Sequence, residues 1–147
     1  MEELISIILK YDSNISPAWT LSDVVTHRVR YVKQTSCPSR VAIFTLTFEP
    51  FVDEEPVIII NNASLQEDLV GNITYENDFD GYIKVIVKSI EDELNNLYEQ
   101  GKAVINLRII ISDLYIHAID SSELAFRIAT RFALRDVLKD SNLLVVR

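Results

Sequence analysis

Two stretches alternate β-branched or aromatic residues with polar ones at a period of two, and only six residues separate them. They are VVTHRVRYVK, Val24 to Lys33, and RVAIFTLTFEP, Arg40 to Pro50. In the second, Ile43, Thr45 and Thr47 fall on one face and Phe44, Leu46 and Phe48 on the other. A chain with that periodicity pairs as strands with one face turned to a core. The intervening QTSCPS has the chemistry of a turn, so the two stretches predict an antiparallel hairpin with a connection slightly longer than usual. PVIIIN, Pro56 to Asn61, predicts a short third strand, with its proline at the position where a strand tolerates a missing N–H.

From Phe79 to Gln100 the period changes. Phe79, Ile83, Ile86, Val87, Ile90, Leu94, Leu97 and Tyr98 recur at helical spacing, with Asp78 as the expected cap and Gly101 as the expected stop. AVINLRIIIS, Ala103 to Ser112, predicts a central strand. DSSE, Asp120 to Glu123, reads as a capping box opening a second helix that ends near Lys139, ahead of a last short strand in LLVV. In that helix Ala125, Ile128, Ala129 and Phe132 are expected on the core face. Residues 2–10 are too short to decide between helix and strand, and Asn62 to Asn77 reads as loop. Strand, strand, strand, helix, strand, helix, strand packs as an α+β fold of two layers, with helices on one face of a mixed sheet.

At 147 residues the chain fits one domain, and its 48% hydrophobic content supports a real core. Fourteen Lys+Arg against 22 Asp+Glu give a net charge of -8, which opposes non-specific binding of nucleic acid by the whole surface and argues against DNA as a target. With acidic residues at the N-terminus, one cysteine and no apolar run of membrane length, the expectation is a cytoplasmic protein without a disulfide or a membrane partner.

Catalytic readings of the residues are weak. Gly71, Gly81 and Gly101 are scattered and form no phosphate-binding loop. His27, His117 and Cys37 cannot fill a structural zinc site, so neither metal nor cofactor is expected. His117 with Asp113, Asp120, Ser121 and Ser122 resembles a nucleophile, base and acid set, but capping and the first helical turn account for Asp120 and the serines, and no glycine-bounded elbow is present. The acidic runs at Asp53 to Glu55 and Glu91 to Glu93 read as a loop and a solvated helix face. Arg127, Arg131 and Arg135 line one helix face at intervals of four. They could contact phosphate or simply pair with nearby acids.

The stretch YIHAIDSSELAFRIATRFALRDVLKDSNLLVV, and within it DSSELAF from Asp120 to Phe126, resembles domain IV of elongation factor G. KQTSCPSRVAIFTLTFEP, Lys33 to Pro50, is similar to that family's tip hairpin, including its closing Glu49 and Pro50, and VTHR, Val25 to Arg28, resembles its first strand. Residues 24–147 are thus identified with the domain, and 1–23 with an N-terminal extension. The resemblance implies a β/α sandwich of the ribosomal protein S5 domain 2-like type with a left-handed βαβ crossover. It also implies a tip, formed by Gln34 to Arg40 and by Tyr115 to His117, that contacts the ribosome or structured RNA. The RNA-binding residues expected on these grounds are His117, Tyr115, Gln34 and Arg40, with Arg127, Arg131 and Arg135 along the side.

The family's tip hairpin is rich in glycine, whereas Ser36, Cys37, Pro38 and Ser39 stand here, a proline-bearing loop with some likeness to the tetracycline ribosomal-protection proteins. No GTPase accompanies the domain, so the expectation is a non-enzymatic, stand-alone homologue without factor-driven translocation. The alternative is a protein-interaction module that kept the fold and lost RNA binding.

Overall fold

The computed structural model describes residues 2–33, 40–66, 76–116 and 121–147. The elements are β1 (Glu3–Ile5), β2 (Trp19–Thr20), β3 (Val25–Lys33), β4 (Arg40–Pro50), β5 (Val57–Asn61), β6 (Leu65–Gln66), α1 (Glu76–Glu99), β7 (Leu107–Tyr115), α2 (Glu123–Val137), a 3-10 turn (Asp140–Asn142) and β8 (Leu144–Val145). The main sheet runs β1-β5-β7-β4-β3, with β6 also beside β7. β5 and β7 are parallel and joined through α1, while β3, β4 and β7 pair antiparallel in turn. The fold is the expected mixed sheet with helices on one face.

The alternation in β4 decides which face is covered. Phe44, Leu46 and Phe48 are fully buried together with Ile59, Ile109 and Ile111 from the neighbouring strands, and Ile86, Ile90 and Leu94 of α1 close over them. Each such side chain contributes about 1.5–3 kcal/mol by leaving water. Phe126 of α2 joins the layers, stacked on Tyr82 of α1 at 4.5 Å and tilted against Phe44 at 5.8 Å.

α1 starts two residues ahead of Asp78, which lies inside the helix and is not its cap. Its end is as expected. Gly101 takes φ +91, its N–H donates to the Tyr98 carbonyl at 2.9 Å, and the Lys102 N–H donates to Leu97 at 2.8 Å. This pair of bonds is the Schellman closure that a left-handed glycine permits.

Three local expectations are corrected. β7 begins at Leu107 and runs on to Tyr115, because Asn106 at φ 56 turns the chain and Ala103–Ile105 bonds instead to Trp19. The cap of α2 is Ser122, whose Oγ accepts from the Ala125 N–H at 3.1 Å. Asp120 lies outside the described residues, and Ser121 is not in the helix but donates its hydroxyl to the Val41 carbonyl. The buried face of α2 is Ala125, Phe126, Ala129, Thr130, Ala133, Leu134 and Val137, which leaves Ile128 only half-buried and Phe132 56% exposed. Two adjacent rows of residues face the core, and the threonine among them is tolerated because its hydroxyl donates to Phe126 at 2.7 Å.

The first residues settle as strand: β1 pairs antiparallel with β5. The chain then lies along α1, where the Ile8 N–H donates to Glu91 at 2.7 Å and the Lys10 N–H to Asn95 at 2.8 Å. The last strand, β8, pairs with β2 in a separate small sheet, with Trp19 opposite Val145.

Candidate nucleic-acid interface

Of the expected tip, Arg40 and Tyr115 lie toward the hairpin end of the sheet. Lys33 and Arg40 sit opposite each other where β3 passes into β4, and Tyr115, the last residue of β7, sits opposite Ile43 of β4. Arg40 and Tyr115 are half-buried. Gln34 and His117, and with them the turn Ser36 to Ser39, lie outside the described residues.

The three arginines of α2 divide. Arg131 Nε donates to Glu93 Oε1 at 3.2 Å, and Arg135 Nε to Glu93 Oε2 at 3.3 Å. Glu93 belongs to α1 and is 6% exposed, so the two guanidinium groups, 46% and 55% exposed, lie as a lid over a sunken carboxylate and tie the helices together. Arg127 is exposed and makes no ion pair among the described residues. It faces a groove between the helices that is also lined by Gly81, Lys84, Lys88, Ser89, Asp92 and Glu123.

The charge of the hairpin is a feature the sequence reading passed over. From Val24 to Phe48 there is no Asp or Glu, while Arg28, Arg30, Lys33 and Arg40 are all present. The remainder carries ten Lys+Arg against all 22 Asp+Glu, so the β3–β4 segment has a charge of +4 and the rest of the chain a charge of -12. Counting acids segment by segment, instead of over the whole chain, was the available signal. Arg30 and Lys33 are exposed, and none of the four makes an ion pair among the described residues. Cations without an acidic partner are what phosphate contact requires.

Among the described residues no three His, Cys, Asp or Glu side chains are grouped to hold a metal ion. His27 lies 3.9 Å from Asp136. No helix among the described residues is long and apolar enough to cross a membrane.

Comparison with known proteins bears on the family and the fold. A relative, elongation factor G 1 of Syntrophomonas wolfei subsp. wolfei, is 30% identical over 113 residues, a match covering 77% of this chain and 15% of the relative. A crystal structure of a protein from Thermus thermophilus superposes with a TM-score of 0.60 at 22% identity, over 87% of this chain and 17% of that one, and supports the fold. The chain therefore spans only a small part of the length of the proteins it matches. The profile described as elongation factor G, domain IV matches residues 15–142, and with that span the chain belongs to the elongation factor G domain IV family.

Proposed function

We propose that this domain is a non-enzymatic, translation-related binding module that contacts the ribosome or structured RNA in the cytoplasm through its hairpin end. The observation that carries this reading is the +4 hairpin on a -12 body. A protein of net charge -8 can approach a polyanion only by a segregated basic surface, and here that surface coincides with the tip residues Arg40 and Tyr115. Gln34 and His117 belong to the same proposal by position in the sequence. Of the side stripe, Arg127 is the member best placed to take part, because Arg131 and Arg135 are engaged with Glu93.

Co-sedimentation with ribosomes, as salt is raised from about 0.1 M, tests the reading. Replacing Arg30, Lys33 or Arg40 by Gln should each lower the salt slope of log K by about 0.7–0.9 if each touches one phosphate. Unmutated protein that stays in the supernatant at every salt concentration would refute ribosome contact.

A second reading, docking of another protein, has one observation in its favour. Phe132 is 56% exposed beside Tyr31, edge to face at 6.2 Å, next to β3, which is an edge strand among the described residues. Ribosome-independent capture of a protein that Phe132→Ser abolishes would favour it.

A further inference from the structure

We infer that the gap where β1 parts from β5 takes an extended, lysine- or arginine-bearing segment of another protein, which pairs with the Val57 backbone as an added strand. The inference is independent of the proposed RNA role and concerns the opposite edge of the sheet from the basic hairpin.

β1 pairs with β5 over a short ladder, Glu3 with Asn61, Leu4 with Ile60 and Ile5 with Ile59. Ser6 and Ile7, which would continue it opposite Ile58 and Val57, are no longer paired. The chain crosses instead to α1, where Glu91 accepts from the Ile8 N–H. A cavity of about 200 Å³ opens where the strands part, lined by Leu4 to Ile7, by Asp53 and Glu55, and by Val57 and Ile58. Lys33, Arg40, Gln66 and Ile116, which border residues outside the description, all lie toward the other end of the sheet.

The hydrogen bonds of β5 fix which way its backbone points. The Leu107 N–H donates to the Pro56 carbonyl at 3.4 Å and the Asn62 N–H to the Ile111 carbonyl at 2.9 Å, so the even-numbered residues of β5 address β7. The odd-numbered ones address β1. Ile59 and Asn61 meet Ile5 and Glu3 there, but the N–H and C=O of Val57 point into the cavity and have no backbone partner among the described residues. A donor and an acceptor side by side on a strand edge form a template for one more strand. A helix, about 10 Å across with its side chains, is too large for the cavity.

Charge selects the occupant. Residues 2–9 and 51–58, which wall the cavity, include Glu2, Glu3, Asp53, Glu54 and Glu55 and no Lys or Arg. Asp53, Glu54 and Glu55 are exposed and make no ion pair among the described residues, although Asp53 accepts the Glu55 N–H at 3.2 Å. Arg108, opposite Ile58, is taken by Glu49 and lies over Phe51. Leu4 and Val52 are 69% and 78% exposed beside these acids. A phosphate is repelled here, and a second copy of the chain would bring the same carboxylates to the same place. An extended segment alternating apolar with basic residues meets every group: its backbone reaches Val57, its apolar side chains reach Leu4 and Val52, and its cation reaches Asp53 and Glu55.

Amide exchange followed by NMR tests this, with a short end-blocked peptide of alternating valine and lysine as the probe. In the free protein the Val57 N–H should exchange faster than that of Ile59, and peptide at about ten times its Kd should slow it about tenfold. The same peptide with N-methylated valines keeps its charge but loses its donors, and should bind roughly fivefold more weakly or worse. Asp53→Asn combined with Glu55→Gln should weaken binding of the parent peptide by about three- to tenfold. The inference is overturned if Val57 is as protected as Ile59 before any peptide is added, since the gap is then closed. It is also overturned if the peptide fails to bind, if it binds with Val57 unaffected, or if the N-methylated form binds equally well, which would reduce the contact to charge attraction. Sedimentation velocity that shows a dimer of the protein alone, with Val57 protected in it, would give the gap to a second copy and overturn the inference as well.

Discussion

Arg28 and Asp113 are 85 residues apart in sequence, and the guanidinium of one reaches the backbone carbonyl of the other at 2.9 Å across the intervening strand β4. An edge-strand arginine thereby fixes an irregularity in the central strand. Arg28→Met keeps most of the aliphatic stem and removes both hydrogen bonds, so it should cost about 1–3 kcal/mol in urea denaturation. Asp113→Gly should leave stability within about 1 kcal/mol of the parent, and Asp113→Val, β-branched at positive φ, should cost more than either.

Glu93 and its two arginines have an asymmetric energetics. Glu93→Leu leaves two half-exposed guanidinium groups that return to water, whereas Arg131→Gln combined with Arg135→Gln leaves a sunken carboxylate with no cation. The double arginine variant should lose about 1–3 kcal/mol, a figure reduced for solvent screening of the arginines, and Glu93→Leu should lose less. The order of the two denaturation midpoints decides the point.

Two glycines should respond to alanine with opposite signs. At Gly81 an added Cβ meets nothing within 4 Å, so Gly81→Ala should raise stability by about 0.5–1 kcal/mol through helix propensity and a less flexible unfolded chain. At Gly101 there is equally free space but φ is +91, so Gly101→Ala should lower stability by about 1 kcal/mol or more. Thermal melts of the two variants compare the effects directly.

Glu91 links the N-terminal segment to α1. Desolvation pushes its carboxyl upward, but the hydrogen bond from Lys88, the Ile8 N–H and the Lys88 charge together outweigh this and hold its pKa below the ordinary value. A depressed folded-state pKa means that the stabilisation is present above about pH 4.3 and is lost as pH falls through the lower folded value. Glu91→Gln should therefore flatten the acid limb of a stability–pH curve and leave its shape near neutrality unchanged.

The sequence made much of this readable. The hairpin, α1 with its glycine stop, and the central place of β7 follow from periods of two and 3.6, because burial on one face of a sheet or helix imposes those periods. Other features depended on contacts that period does not encode. β2 and β8 are two residues each and exist through their mutual pairing. Ser122 rather than Asp120 caps α2, and DSSE offers both residues the same chemistry. Phe132 fell on the solvent side because α2 presents the rows of Phe126 and Ala129 to the core, a rotation left open by a helix whose apolar residues, Leu124 and Ile128 among them, spread beyond one face. The placing of Tyr115 at the tip came from family likeness alone. Its position beside Arg30 depends on a bulge that no periodic pattern announces.

The uneven charge of the hairpin and the body bears on how the molecule arrives at a target as well as on what it touches. At physiological ionic strength the field of a charge decays over about 8 Å, less than the length of a nine-residue strand. An approaching polyanion thus senses the nearer pole of the domain and not its sum of -8. On the proposed contact with ribosome or RNA, encounters with the acidic α1 foremost would be repelled and those with the hairpin foremost drawn in, so the acidic body would act as a rudder, turning the molecule before contact.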